Sequence, residues 1–393
     1  MAMATALWAT SLGAQPAPAR PDPASWSVWE SADGVFRVDL FAGFQALYQL
    51  DVPDQDANRL RQGPDFTAPA VGATSLFRVR RARLGLQGHV WTPDLQYHLQ
   101  AELAGSAATL KRVYLNWRIH GSALQVEAGK FKPPFGRQQL TSYARQQAVD
   151  RAVASDEFAR GEDDGVMMWG TPFGGALKYY AGVFNGEGNN RNAQQDGDNL
   201  FAGRLVWSPL GRVAYSGPAL APSPEPRIAL GAAATLNGGW LFDVNGVPGI
   251  QGPTESCVAG ACTIDAGDDA RVVQWAGELA VRWGPLSASG EYFRRTARPV
   301  GAALEDLRAE GWYAQAGGIV VPKRLELGAR CSVLDTDDRS RAGEIREVTP
   351  FASWFARGHD LKLQADFSLR TTRLADGSSL DERRFRSALV VLF

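Results

Sequence analysis

Phe36-Arg37-Val38-Asp39-Leu40-Phe41-Ala42-Gly43-Phe44-Gln45-Ala46-Leu47-Tyr48-Gln49-Leu50 carries apolar side chains on one parity and mostly small or polar ones on the other. Phe36, Val38, Leu40, Ala42, Phe44, Ala46, Tyr48 and Leu50 form the apolar set; Arg37, Asp39, Gly43, Gln45 and Gln49 dominate the second. Side chains of an extended chain alternate between two faces, so this period of two specifies a strand with one apolar and one polar side. The run is longer than a typical soluble strand and suits one tilted across a bilayer.

The pattern recurs. Leu95, Tyr97, Leu99, Ala101 and Leu103 oppose Gln96, His98, Gln100 and Glu102; Val113, Leu115, Trp117 and Ile119 oppose Arg112, Tyr114, Asn116 and Arg118. Leu361, Leu363, Ala365, Phe367 and Leu369 oppose Lys362, Gln364, Asp366, Ser368 and Arg370 near the other end. A soluble sandwich also alternates, but its connections are more uniform. Here tight turns (Thr92-Pro93-Asp94, His120-Gly121-Ser122, Gly284-Pro285, Val321-Pro322-Lys323, Arg357-Gly358-His359-Asp360) mostly alternate with long polar loops near 51–74, 132–164, 185–199, 239–270, 297–308 and 335–343. Short connections at one end and long ones at the other characterise an outer-membrane barrel. The exception is 208–227, a long Pro-rich link where a short turn is expected. The expected fold is an all-β, transmembrane antiparallel β-barrel of about sixteen strands, with its long loop folded into the lumen.

Three segments are expected: a partial signal-peptide-like stretch at 1–15, a Pro-rich linker at 16–33, and the barrel at 34–393. The first has small apolar residues and Ser11-Leu12-Gly13-Ala14, but no Lys or Arg ahead of its apolar part. No run of eighteen apolar residues occurs, which excludes a transmembrane helix within this sequence. The 42 glycines, 12 tryptophans and 18 phenylalanines fit a turn-rich barrel with aromatic girdles. A formal charge of −1 gives no reason to expect nucleic acid as a partner, so any electrostatic role must come from where charges sit. Cys257 and Cys262 are spaced for a small disulfide ring, while Cys331 lies in a strand. Without a second cysteine pair or nearby histidines, a zinc site is disfavoured; no cofactor is expected.

The basic residues cluster. In Arg78-Val79-Arg80-Arg81-Ala82-Arg83-Leu84, Arg81 and Arg83 oppose the lipid-facing Ala82 and Leu84. Arg78 and Arg80 share the lipid parity, so they require an interface or a bulge; an arginine at the bilayer midplane costs about 2–4 kcal/mol. A second cluster starts at the strand end around Phe131: Lys130, Lys132, Arg137, Arg145 and Arg151, entered through the rigid Pro133-Pro134-Phe135-Gly136 and followed by Asp156, Glu157, Glu162, Asp163 and Asp164. Such a loop, folded inward, places its basic half at a constriction; the alternative is an exposed loop with solvated charges. Later strands add inward Lys178, Arg204, Arg282, Arg330, Lys362, Arg370, Arg384 and Arg386, partly offset by Glu278, Glu326 and Asp366. These cations either draw anions or pair with acids such as Glu102 and Glu127 as structural links.

Arg80-Arg81-Ala82-Arg83-Leu84, Leu110-Lys111-Arg112-Val113-Tyr114-Leu115, Gly129-Lys130-Phe131-Lys132-Pro133-Pro134-Phe135-Gly136, Leu140-Thr141-Ser142 and Val149-Asp150-Arg151 together resemble the phosphate-selective porins O and P. The resemblance implies a homotrimer of sixteen-stranded barrels with an arginine ladder leading to a constriction. It implies constriction or binding-loop roles for Arg80, Arg81, Ser142 and Arg151; from charge placement, Arg83, Arg112, Lys132, Arg137 and Arg145 complete the expected anion path. Two positions depart from the pattern. Lys111 stands where the phosphate channels carry an aspartate, and Gln139 where a loop lysine binds phosphate. The implied partners are small anions, phosphate among them, the lipid of the bacterial outer membrane, and its assembly machinery through the terminal Phe393.

Passive diffusion of small hydrophilic solutes with anion preference is thus the leading expectation. A general or sugar-type porin and a structural, non-conducting barrel are the alternatives. Tyr114, Tyr180 and Tyr313 are inward by parity but scattered, which is too little for a sugar track. His89, His98, His120 and His359 belong to no nucleophile motif, so catalysis is not expected.

Overall fold

A computed structural model describes residues 25–53, 72–186, 199–241, 256–258, 261–263, 269–299, 306–338, 343–374 and 376–393. Among these residues seventeen strands share one antiparallel sheet, and sixteen of them close into a ring. The ring begins with β2 (Arg37–Pro53), β3 (Thr74–Val90), β4 (Thr92–Glu102), β5 (Thr109–His120) and β6 (Leu124–Phe131). It continues with β7 (Asp163–Gly170), β8 (Leu177–Phe184), β9 (Leu200–Trp207) and β10 (Ser223–Leu241). It is completed by β13 (Asp269–Gly284), β14 (Leu286–Pro299), β15 (Leu307–Val321), β16 (Leu325–Asp335), β17 (Ile345–Arg357), β18 (Leu361–Arg373) and β19 (Ser379–Leu392). Pairing of β19 with β2, Leu392 opposite Gly43 and Glu382 opposite Pro53, shuts the seam. The expected antiparallel barrel and its strand number are what the chain forms.

Two short strands outside the ring, β11 (Ser256–Val258) and β12 (Ala261–Thr263), bring Cys257 opposite Cys262 along the backbone. The signal-like stretch 1–15 lies outside the described residues, and so does most of the linker expected at 16–33. The linker's end is instead a strand, β1 (Ser25–Glu30), paired with the start of β2 and bringing Trp26 opposite Leu40. The Trp26 ring lies 5.7 Å from that of Phe393, so the two ends of the described chain meet at the seam.

The alternation read from the sequence becomes an inside-out distribution of polarity. Leu99, Leu115, Trp117, Leu205, Trp283, Trp312 and Leu363 are exposed on the outer wall, whereas Arg330, Lys362, Glu326 and Asp366 are buried within. That arrangement fits a hydrocarbon solvent outside and a polar interior. Gly284 and Gly358 adopt left-handed φ of 54° in two of the short turns, a conformation glycine takes without steric cost. The short turns and both described ends share one rim, the periplasmic side in barrels of this kind.

Two connections depart from simple loops. Residues 132–162, between β6 and β7, carry helix α1 (Arg137–Leu140), a 3-10 turn (Tyr143–Arg145) and helix α2 (Val153–Phe158). Residues 208–222, the Pro-rich exception on the short-turn side, join β9 to β10. Both carry buried residues, among them Phe135, Ala152 and Val213.

Candidate functional site

Two bulges set the polarity of the wall. Gln45 faces Arg81 and the next residue, Ala46, faces Val79, so Arg80 is an extra residue in β3. Phe77 and Val79 point outward before it and Leu84 after it, which leaves both Arg80 and Arg81 inside. The parity conflict at Arg80 is resolved by this bulge, because one added residue reverses every later side chain. The same device operates in β5: Gln100 faces Arg112 and Ala101 faces Leu110, leaving Lys111 as the extra residue. Lys111 therefore joins Arg112 inside, 3.7 Å from Glu162.

The segment 132–162 is fastened to the inward side chains of β14 to β19. Glu291 accepts hydrogen bonds from the backbone N–H groups of Arg137 and Gln138, the latter at 2.8 Å. Lys362 and Gln364 donate to the Gln146 carbonyl, both at 3.1 Å, and Gln147 Nε2 donates to Glu326 at 2.7 Å. Phe158 stacks on Phe293 with ring centres 5.3 Å apart. Asp150 accepts from Arg80 at 2.7 Å and from Arg386 at 3.3 Å, with Arg81 at 3.9 Å. Burial pushes the Asp150 carboxyl up, but Arg80, Arg386, Arg81 and Arg151 outweigh it and hold it below the usual carboxylate range. Tyr143 packs close over Gly43, where a side chain would strike its hydroxyl.

The segment 208–222 meets this loop from the other rim. Arg137 donates to the Ala214 carbonyl at 2.7 Å, and the Gly217 N–H donates to the Arg145 carbonyl at 2.6 Å. Arg282 donates to the Ser216 carbonyl, and the Ser216 hydroxyl lies 3.1 Å from His359 Nε2. Tyr215 is thereby held with the guanidinium of Arg137 4.6 Å from its ring centre and the ammonium of Lys178 at 4.9 Å.

Two cavities among the described residues adjoin the loop. One, about 380 Å³, is lined by Arg81, Arg83, Lys111, Arg112, Lys132 and Arg151 with Asp156 and Glu162. The other, about 590 Å³, reaches the short-turn rim and is lined by Arg137, Arg145, Lys178, Arg212 and Arg227 with Trp169, Tyr180 and Tyr215. Arg112, Lys132 and Ser142 line both, and the boundary they form between the two is termed the neck. Burial would raise the Glu162 carboxyl, yet Lys132, Arg112, Lys111 and Arg83 hold it at about 2. Burial, reinforced by Arg151 and Arg112, pushes the Lys132 ammonium well below the ordinary lysine range. Its Nζ donates to the Gln139 carbonyl at 2.5 Å.

Of the nine residues singled out in the sequence, Arg81, Arg83 and Arg151 lie in the smaller cavity and Arg137 and Arg145 in the larger. Arg112, Lys132 and Ser142 lie at the neck, while Arg80 lines neither cavity and is committed to Asp150. Arg83 pairs with Glu102 at 2.9 Å, as the structural alternative required of it. Sequence reasoning missed the inward turn of Lys111, the insertion of 208–222, and the convergence of Trp169, Tyr180 and Tyr215. The three inward tyrosines judged scattered divide: Tyr114 and Tyr180 belong with Trp169 to one cluster, and Tyr313 lies with Phe293 in a separate buried one. The signal for the insertion was the break in the alternation of short and long connections.

The sequence matches the family described as phosphate-selective porin O and P over residues 55–383. It is 25% identical over 257 residues to Porin O of Pseudomonas aeruginosa, covering 60% of this chain and 56% of that porin. The chain thus spans about half the length of the curated relative it matches. An anion-selective porin from Comamonas acidovorans superposes with a TM-score of 0.59 at 14% identity, over 91% of this chain and 99% of that one. The in-vitro folded OmpT of Vibrio cholerae in its trimer form gives a TM-score of 0.57 at 11% identity, over 91% and 100%. At such identities the two structures speak for the barrel architecture.

Proposed function

This chain belongs to the phosphate-selective porin O and P family, and from that premise we propose that it is an anion-selecting diffusion channel of the bacterial outer membrane. The observation that carries the proposal is the neck, where Arg112 and Lys132 stand between two water-accessible cavities that are both rich in cations. Among the described residues no carboxylate lies within 4 Å of Arg112, although its charge, with those of Lys132, Lys111 and Arg83, stabilises the Glu162 carboxylate, and an anion at the neck would compete with Glu162 for it. The segment 132–162 acts as the constriction loop. Arg81 and Arg151 attract anions to one side of the neck, where Arg83 is paired with Glu102, and Arg137 and Arg145 take them on from the other. Arg80 acts through Asp150, which it ties to the wall.

The planar guanidinium fork suits small oxyanions, and several weak sites in series favour passage over trapping. Lys111 and Gln139 bear on phosphate. Lys111 is engaged by Glu162, and Gln139 offers a carbonyl to Lys132 rather than an ammonium to a ligand. Small oxyanions as a class are therefore the proposed substrates, phosphate one among them. A homotrimer is part of the proposal, by likeness to porins. So is recognition by the assembly machinery through Phe393, whose side chain is exposed while its backbone bonds to Ala42.

Reversal potential in a planar bilayer under a KCl gradient tests the proposal. Chloride preference is expected; potassium preference overturns it. Adding millimolar phosphate then asks about the substrate: partial block of the chloride current is expected, and an unaltered current removes phosphate from the class.

A further inference from the structure

Trp169 on β7 and Tyr180 on β8 are cross-strand partners, so their rings share one inward face. They stack with centres 6.1 Å apart and planes 17° from parallel. Lys178, two residues before Tyr180 on the same face, places its ammonium 5.6 Å from the Trp169 ring and 5.2 Å from the Tyr180 ring. The third ring, Tyr215, arrives from the inserted segment. Arg204 backs this group but is neutralised by Glu278 at 2.7 Å, which makes it part of the wall. Lys178 and Tyr180 are only half-buried and border the 590 Å³ cavity.

A small inorganic anion gains from the ammonium and nothing from the rings. A flat organic anion gains from both, since its carboxylate meets the cation while its body lies along aromatic faces. The cavity volume falls inside the range of roughly 300–1,000 Å³ typical of small-molecule sites, and its lining joins apolar surface from Phe131, Pro134, Trp169 and Val206 to a set of cations. The smaller cavity has less apolar surface: charged groups dominate its lining, and its Tyr143 ring, packed with Leu392, is already faced by the guanidinium groups of Arg81 and Arg83.

We infer that the larger cavity is a subsite for organic anions with an aromatic or similarly flat apolar body, of which benzoate is the simplest. The inference rests on the barrel being an anion channel, and it names the class of substrate for which the half of the path nearest the short turns is built.

The test is block of chloride current through the purified channel in a planar bilayer by sodium benzoate and, separately, by sodium acetate. The two anions share a carboxylate and differ in the ring. Benzoate is expected to half-block at about tenfold lower concentration than acetate, which corresponds to about 1.4 kcal/mol of added contact. Tyr180→Leu should bring the two concentrations together, with heat-modifiable migration in detergent gels showing that the barrel has assembled. Lys178→Gln, which removes the cation and leaves the rings, should also lose benzoate block. Equal block by benzoate and acetate in the unaltered protein overturns the inference, as does a benzoate preference that survives both substitutions. Neither result touches the reversal potential, whereas potassium preference would sink the channel proposal itself.

Discussion

The cavity beside the arginine strand and the cavity beside the inserted segment meet at Arg112, Lys132 and Ser142, yet their linings are built by different means. In the first, cations come largely from strand alternation and two bulges, and six of them face two acids, Asp156 and Glu162. In the second, Lys178 and Tyr180 come from a strand but Arg137, Arg145, Arg212 and Tyr215 come from connecting segments. A sheet supplies closely spaced charge along one face, because every second residue points inward. An inserted segment supplies surface that strands cannot, since its backbone turns and presents rings at angles the sheet does not offer. The first cavity reads as an electrostatic funnel and the second as a shaped receptacle.

The largest effect should follow from breaking what the two cavities share. Reversing both neck charges, Arg112→Glu with Lys132→Glu, should move the reversal potential from the anion to the cation side. A unit charge about 4 Å away is worth roughly 1 kcal/mol even in a water-like medium, about fivefold in preference per charge. Retained anion preference would place selectivity elsewhere on the path. Next in size is Asp150→Asn, which leaves Arg80 and Arg386 without their common carboxylate. Breaking a buried pair costs about 3–5 kcal/mol, and the lower end is expected because Arg386 keeps Asp366 at 2.8 Å. A lower melting temperature of the folded barrel in detergent is the expected sign; an unchanged one shows that the loop is held by its other bonds.

The remaining two predictions sharpen the contrast between the cavities. At Gly217 a Cβ would lie 2.5 Å from Gln147 Cγ and 2.8 Å from its amide nitrogen. Gly217→Leu should therefore force the inserted segment off the loop, at an overpacking cost of about 1–3 kcal/mol. Single-channel conductance should rise while anion preference persists; conductance equal to the unaltered channel would show that the segment does not narrow the path. The smallest effect concerns pH. Because burial and neighbouring arginines lower the pKa of Lys132, it gives up its charge before an ordinary lysine, near about 10.4, would do so. Anion preference should weaken as pH rises, at a pH well below the ordinary lysine range, and Lys132→Arg should flatten that dependence. A profile identical in both proteins removes Lys132 as its source.

How much of this was legible follows from the same contrast. Strand faces were legible because period two is a local property: Gln96, His98, Gln100 and Glu102 needed only their neighbours to be placed inside. The bulge at Arg80 was half legible, since an arginine on the lipid parity signals that the register must shift. Lys111 gave no such signal, because a lysine near a strand's end can reach an interface along its own stem. The partners of the loop were not legible at all. Glu291 and Asp366 stand more than 150 residues along the chain from Gln138 and Val149, and nothing local specifies which carboxylate meets which amide. The aromatic receptacle failed for the same reason, for Tyr215 belongs to a segment with no periodicity to read.

The seat of Asp150 has a consequence for how the ring comes together. Arg80 stands on β3 and Arg386 on β19, the two strands that flank β2, and β19 joins β2 only at the seam. A carboxylate held from both sides of that join cannot find its full set of partners in an open sheet. Final docking of the loop and closure of the ring are therefore one event. The last strand to zip into place completes the wall and, in the same step, brings Arg386 to the carboxylate of the loop.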